Sequence, residues 1–185
     1  MMGGELLGKQ LQILKEVVPN LSRVAVLWNP SNASNAPQLR HAQDAARTLG
    51  LRLRPLEVRG PGEIEGAFAV MTKERAEAVL VLLDSMLVAN RTRIVEFTAK
   101  RRVPRIYGLT DFAKAGGLIA YGPNVPDMHR QAATYVDKLL KGRKPTDLPV
   151  EQLTKFELIV NLSAAKALGL TIPPLILTRA DQVIP

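Results

Sequence analysis

The sequence predicts an α/β protein built on an open, mostly parallel β-sheet flanked by helices. Apolar runs of strand length alternate along the chain with amphipathic stretches of helix length, which is the pattern of repeated βαβ units. The run Val24–Leu27 is apolar at every position, as expected for a strand that is buried on both faces of a parallel sheet. The 185 residues fit one domain or two small lobes.

The predicted helices share apolar residues spaced three or four positions apart, which places those residues on one helix face. The first helix ends before Pro19, and the second is followed by Gly50, a residue that suits the left-handed turn after a helix. In chain order the predicted helices are Glu5–Val18, Asn35–Leu49, Glu63–Glu74, Asn90–Arg101, Asp111–Ala115, Pro126–Leu140 and Ser163–Leu168.

The predicted strands are short apolar runs, several of them bounded by turn-forming residues. In chain order they are Arg23–Trp28, Leu51–Val58, Ala78–Leu83, Val103–Leu109, Leu118–Tyr121 and Phe156–Val160. After Lys141 the composition changes to a polar, proline-containing connection, residues 142–149, which is the best candidate for a linker. An apolar tail, Ile172–Ile184, follows the last predicted helix.

Composition excludes several classes of protein. The chain has no cysteine, so a disulfide framework, a cysteine zinc site and a cysteine nucleophile are excluded. It contains no run of 18 apolar residues, the length that a membrane-spanning helix needs. The first ten residues lack the basic flank, apolar stretch and small-residue cleavage site of a secretory signal.

The net charge of +8 raises nucleic acid, an anionic membrane or an anionic ligand as partners. The basic residues fall mainly on predicted helix faces and at helix C-termini, where cations suit the helix dipole. No helix-turn-helix or aromatic stacking platform accompanies them, and aromatic residues make up only 4% of the chain. A solvated basic surface is therefore favoured over nucleic-acid binding. The residues concerned are Arg91, Arg93, Lys100, Arg101, Arg102, Arg105, Lys138, Lys141, Arg143 and Lys144.

Four polar loops follow predicted strands and mark a candidate site, because ligands of open parallel sheets bind at the carboxyl ends of the strands. The first loop, Asn29–Asn35, leads into a helix N-terminus that favours an anion such as a carboxylate; Ser34 or Asn35 could equally be a simple helix cap. In the second, Asp84 and Ser85 can hold a ligand ammonium or cap the next helix. The other two are Tyr107–Asp111 and Tyr121–Asn124.

Motifs for catalysis and nucleotide binding are missing. The sequence has no G-x-G-x-x-G after the first strand, no Walker-type phosphate loop and no G-x-S-x-G elbow. We therefore expect no cofactor, no metal and no catalysis. One enzymatic alternative stays open, in which Asp84 and Asp111 act together as acid and base at this sheet edge.

The sequence resembles the C-terminal part of the periplasmic substrate-binding proteins of ABC transporters, in the uncharacterised-transport-system family related to tryptophan and aromatic amino-acid binders. The resemblance covers nearly the whole chain, and its last two segments are quite specific. The segments that carry it are Arg23–Ser31 (RVAVLWNPS), Arg102–Ala115 (RVPRIYGLTDFAKA), Gly116–Pro123 (GGLIAYGP), Tyr135–Pro149 (YVDKLLKGRKPTDLP) and Lys155–Pro173 (KFELIVNLSAAKALGLTIP).

The resemblance implies a type I periplasmic-binding fold, in which two α/β lobes close on a ligand between them. Residues 1–116 then form most of the second lobe, 117–142 form a strand and helix that return to the first lobe, and 143–185 form a crossover and the last strand and helix. The signal peptide and most of the first lobe of the family are absent, so the chain is expected to be a fragment, the product of a truncated reading frame or a degenerate copy. Leu118–Tyr121 would then lack neighbouring strands, and this exposed sheet edge invites self-association.

The function that this resemblance implies is capture of a small, amino-acid-like or carboxylate ligand for an ABC importer, without catalysis. The implied partner is a transporter permease, and the implied compartment is the periplasm, although without a signal peptide the chain as encoded could be cytoplasmic. The alternatives are a sensory or regulatory ligand-binding domain of the same fold and the Asp84/Asp111 enzyme. The residues expected to line the cleft are Asn32, Ser34, Asn35, Asp84, Ser85, Tyr107, Asp111 and Tyr121.

Overall fold

The computed structural model describes residues 2–149 and 155–185. Every predicted strand and helix has a counterpart whose ends are shifted by a few residues at most. The strands are β1 Arg23–Trp28, β2 Arg52–Glu57, β3 Ala78–Val81, β4 Arg105–Tyr107, β5 Ile119–Pro123, β6 Phe156–Asn161 and β7 Gln182–Ile184. The α-helices are α1 Met2–Val17, α2 Asn35–Thr48, α3 Ile64–Lys73, α4 Ser85–Ala89, α5 Arg91–Lys100, α6 Thr110–Lys114, α7 Val125–Leu140, α8 Leu162–Leu168 and α9 Pro174–Arg179.

The strands form one sheet with the order β2-β1-β3-β4-β5-β6-β7. All neighbouring pairs are parallel except β5 and β6, which are antiparallel. The α/β class and the mostly parallel sheet predicted from the sequence are therefore confirmed. Because β1, β3, β4 and β5 run in the same direction, the loops that follow them emerge at one edge.

Helices cover both faces of the sheet and create two apolar cores. On one face α1, α2, α8 and α9 pack against the sheet, and on the other face α3, α4, α5 and α6 do so. The side chains of β1 alternate between them: Val24 and Val26 enter the first core, whereas Ala25 and Leu27 enter the second. This alternation explains why the run Val24–Leu27 is apolar at every position.

The position of β5 in the sheet contradicts one expectation from the sequence. The predicted return of this strand to another lobe, with an exposed edge at Leu118–Tyr121, is wrong, because β5 lies inside the sheet between β4 and β6. The chain comes back to pair with it: Ile119 is opposite Val160, and Tyr121 is opposite Leu158. Among the described α-helices, α7 alone has no buried residue. Part of the predicted crossover, residues 150–154, lies outside the described residues.

Among the described residues, two α-helices and one strand were not predicted from the sequence. Helix α4 begins directly after Asp84, while α9 and β7 divide the apolar tail Ile172–Ile184. Strand β7 continues the sheet beside β6, with Val183 opposite Val160. None of the described helices is long and apolar enough to cross a membrane.

Candidate functional site

The loops after β1 and β3 meet at the carboxyl edge of the sheet, and Asp84 lies at their junction. Asp84 has extended backbone angles and is the N-cap of α4, where its Oδ1 accepts a hydrogen bond from the backbone N–H of Leu87 at 3.1 Å. Only 5% of Asp84 is exposed. The capping role that the sequence left open is therefore present in the structure.

Two asparagines of the β1 loop donate to the same carboxylate. The side-chain amide of Asn29 reaches Asp84 Oδ2 at 3.2 Å, and that of Asn32 reaches the same oxygen at 2.9 Å. A carboxylate can accept about four hydrogen bonds, so these two and the bond from Leu87 leave capacity for a further donor. Capping by Asp84 is thus compatible with ligand contact.

The side chain of Asn35 connects the β1 loop to the end of β3 by hydrogen bonds. Its Oδ1 accepts a hydrogen bond from the backbone N–H of Asn29 at 3.1 Å, and its Nδ2 donates to the carbonyl of Leu83 at 3.0 Å. The residue is fully buried. Asn35 therefore fixes the spacing of the β1 and β3 loops rather than facing solvent.

Ser34 precedes the first residue of α2 but does not cap it with its side chain. Its hydroxyl instead donates to Asn32 Oδ1 at 2.7 Å, and its backbone N–H donates to the same oxygen at 3.0 Å. Both oxygen and nitrogen of the Asn32 amide are therefore engaged, the oxygen by Ser34 and the nitrogen by Asp84. The amide that joins the two loops is held in one orientation.

A cavity of about 560 Å³ opens above this network. It brings together four of the eight residues predicted to line the cleft: Asn32, Ser34, Asp84 and Ser85. The remaining lining residues are Gln38, Leu83, Val88, Ala89 and Leu109. Gln38 follows Ser34 by one helical turn, so the spacing on α2 is a signal that would have found it.

Tyr107 does not line this cavity. Its side chain is fully buried and stacked on Phe112, with ring centroids 4.4 Å apart. Burial raises the pKa of its hydroxyl. In this structure the Tyr107 ring is buried, because β4 directs it into the second core, so the structure does not bring Tyr107 to this cavity.

The other two predicted residues lie apart from the cavity. Asp111 is exposed in the first turn of α6 and is not among the residues that line it. Tyr121 is half-buried, stacks on Phe156 at 6.0 Å, and lines a separate cavity of about 260 Å³ near the start of α1. The structure thus gives Asp84 and Asp111 no shared cavity.

A cavity of about 590 Å³ lies at the opposite edge, where β1 and β2 begin, and it is lined by several arginines. Three of them are paired with carboxylates, Arg23 with Glu77, Arg47 with Asp44, and Arg54 with Glu74. Its positive charge is therefore largely neutralised, and the carboxyl edge remains the candidate site. In the described part of the chain, no three acidic or histidine side chains come close enough together to hold a metal ion.

The family model for ABC transporter substrate binding protein matches residues 4–184. The chain belongs to this family. A crystal structure of the ABC domain in complex with L-Trp from Streptococcus pneumoniae has a TM-score of 0.88 to this family member at 26% identity, covering 97% of the chain and 60% of the other protein. A conserved domain protein from Vibrio cholerae has a TM-score of 0.87 at 22% identity, covering 96% and 60%.

A curated relative of this family member is the tyrosine-binding protein of Clostridioides difficile strain R20291. The two are 20% identical over 162 residues, which is 88% of the chain and 47% of the relative. The chain therefore spans about half the length of this relative and 60% of the two solved structures.

Proposed function

We propose that the chain captures a small amino acid in the cavity above Asp84, as the solute-binding component of an ABC import system, and does so without catalysis. The observation that carries this proposal is the buried Asp84 carboxylate, held by two asparagine amides with capacity for one more donor. A ligand ammonium is such a donor, and a charge-assisted hydrogen bond to it would be strong.

A binding position for the carboxylate of an amino acid lies near the ammonium position. Ser34 is exposed in the same cavity at the start of α2, a 14-residue helix whose N-terminal N–H groups favour a carboxylate. Capture of an amino acid is also supported by the relatives, since one is named for tyrosine binding and another is described in complex with L-Trp. Asn32 and Ser85 complete the proposed set of ligand contacts.

The proposal includes a second lobe that closes over the ligand. Helix α7 has an apolar stripe, yet Leu140 is 83% exposed and Val136 is 53% exposed. Since the chain spans 60% of the solved relatives, a lobe of the kind implied by the family would cover this stripe. In this proposal the seven strands and the helices packed on them form one lobe, and α7 docks on the other.

The transporter context belongs to the same proposal. Proteins of this family are typically extracytoplasmic, so we propose that the protein works in the periplasm and delivers its ligand to a permease. In the sensory alternative the ligand binds in the same cavity. The difference is that a signalling partner, rather than a permease, binds the form in which the two lobes have closed. The enzymatic alternative loses support, because Asp111 does not share the cavity of Asp84.

Calorimetry and thermal shift with tryptophan, tyrosine and leucine test the proposal. Asp84→Asn removes the charge and keeps the size of the side chain, and Asp111→Asn is the matched control. We expect saturable stabilisation of the wild-type chain and of the control, and at least about tenfold weaker binding in Asp84→Asn, the equivalent of ~1.4 kcal/mol.

A comparison of two ligands on the wild-type chain tests the same point if the Asp84 variant folds poorly. Indole-3-propionate matches tryptophan but lacks its ammonium, so we expect it to bind at least about tenfold more weakly to the wild-type chain. Equal binding of both compounds would contradict a role for Asp84 as ammonium acceptor. Turnover of a metabolite that Asp84→Asn abolishes would support the enzymatic alternative instead.

A further inference from the structure

A separate cavity of about 220 Å³ lies between α1 and the carboxyl ends of β3 and β4. It shares Gln38 and Leu83 with the cavity above Asp84, so the two adjoin. Its walls are mostly apolar. The lining residues are Leu6, Leu7, Gln10, Gln38, Val81, Leu83 and Gly108.

Gln10 is the buried polar residue in this wall. Only 1% of it is exposed, and its Nε2 donates to the carbonyl of Tyr121 at 2.7 Å. Its Oε1 has no hydrogen-bond partner among the described residues. The bond to Tyr121 fixes the orientation of the amide, because exchanging its two ends would place two acceptors against each other. Gln10 therefore carries a free acceptor beside an apolar cavity, and buried acceptors of this kind normally have a partner.

We propose that this cavity receives the ligand's side chain and that Gln10 makes the site select a ring that bears an N–H or O–H donor. The inference rests on the proposed function, in which Asp84 holds the ammonium next door. Apolar walls favour a ring over a small polar side chain. The free acceptor disfavours a ring without a donor, since such a ligand would leave Oε1 unpaired and cut off from water.

Gly108 gives the cavity its width at the β4 side. A Cβ at this position would lie 3.6 Å from Gln10 Nε2 and 3.9 Å from Leu83 Cβ, which are ordinary contact distances. Alanine therefore fits at position 108 without displacing its neighbours, but it occupies cavity space. Gly108→Ala thus narrows the cavity and leaves the Gln10 acceptor in place.

NMR titration of the full chain with matched pairs of ligands tests the inference. Tryptophan is compared with its benzothienyl analogue, in which sulfur replaces the ring N–H, and tyrosine is compared with phenylalanine. We expect the donor-bearing member of each pair to bind at least about tenfold more tightly. At saturation we also expect the two members to shift the Gln10 side-chain amide resonances differently, because only the donor-bearing ring bonds to Oε1.

Two variants and one control complete the experiment. Gln10→Leu should make the members of each pair bind equally, and Gly108→Ala should weaken both rings of a pair by the same factor. Gln12→Leu, at an exposed glutamine of the same helix, should retain the wild-type preference. Equal binding within pairs by the wild-type chain would overturn the inference and leave the proposed function standing. Binding of none of these amino acids would overturn both.

Discussion

Helices α1 and α7 are both amphipathic and both have 16 residues, but they differ completely in burial. The apolar stripe of helix α1 packs on the sheet and is almost fully buried. Helix α7 carries a stripe of comparable length and buries none of it. The buried residues of α1 are Leu7, Gln10, Leu11, Ile13, Leu14 and Val17; the stripe of α7 contains Met128, Ala132, Tyr135, Val136 and Leu139.

The difference shows what an amphipathic pattern can predict. It predicts that a helix face packs against other residues, but not which part of the protein those residues belong to. The face of α1 is covered by α2 and the first core of the sheet. The proposed cover of α7 is a lobe outside the described structure. The stability of the chain itself should therefore depend on α1 and hardly at all on α7.

Matched leucine-to-alanine substitutions give the largest expected effect. Leu11 is fully buried, so Leu11→Ala leaves a cavity and should lower the free energy of unfolding by about 3 kcal/mol. Leu140 is 83% exposed, so Leu140→Ala should change it by less than about 0.5 kcal/mol. Urea unfolding followed by the fluorescence of Trp28, the single tryptophan of the chain, measures both.

A comparable loss in both variants would contradict the comparison, because it would mean that α7 already has a cover in the isolated chain. Leu14→Ala, at a second fully buried position of α1, serves as a repeat of the first substitution. It should also cost about 3 kcal/mol.

The sequence was sufficient to predict the sheet because apolar runs such as Val24–Leu27 have no other stable place. It was insufficient for β7, since that strand has only three residues, too few to show the alternating pattern of a strand. It also could not give the direction of β6, because that depends on where the connection after α7 crosses.

The site was predictable in part. Strand ends identified the loops of Asn32 and Asp84, but the burial of Tyr107 depends on which way a side chain points in a strand covered on both faces, where both directions are apolar. The network of Asn35 links residues far apart in sequence and leaves no local pattern. Gln10 does show a local sequence pattern, because it lies three residues after Leu7 on the buried face of a helix.

A second pair of substitutions compares the helix caps of the two regions. Asp84 caps α4 and also holds the buried amide of Asn29, so Asp84→Ala should lower the free energy of unfolding by about 2 kcal/mol. Asn124 caps α7 by accepting from the backbone N–H of Asp127 at 2.8 Å. Asn124 also donates to Glu157 of β6, but none of the residues of α7 is buried, so Asn124→Ala should mainly fray α7 and lower the free energy of unfolding by less than Asp84→Ala does.

Hydrogen exchange separates the two outcomes. Amides of α7 should exchange faster in Asn124→Ala, whereas those of β1 and β3 should keep their wild-type protection. In Asp84→Ala the amides of β1 and β3 should lose protection together with the rest of the sheet. Loss of protection in the sheet of Asn124→Ala would show that α7 is coupled to it.

The smallest expected effect is a dependence on pH that also distinguishes the two regions. At the sheet, partial burial acts to raise the pKa of Glu77, but hydrogen bonds from the backbone N–H groups of Ser22 and Arg23 outweigh it and lower that pKa. On α7, hydrogen bonds from Arg130 and Lys155 lower the pKa of Asp127. A carboxyl whose pKa is lower in the folded state stabilises that state above its unfolded pKa, and this contribution is lost as the pH falls through the folded pKa.

Glu77→Gln should therefore lower the free energy of unfolding at pH 7 and have a smaller effect in acid, once the pH has fallen through the lowered folded-state pKa and the wild-type carboxyl is itself protonated. Asp127→Asn should have a smaller effect at both pH values, because Asp127 lies in the first turn of α7, a helix that has no buried residue and whose opening does not require the sheet to open. Urea unfolding of both variants at the two pH values measures the effect. An equal dependence on pH in the two variants would mean that α7 and the sheet unfold as one cooperative unit, which the exposed stripe of α7 argues against.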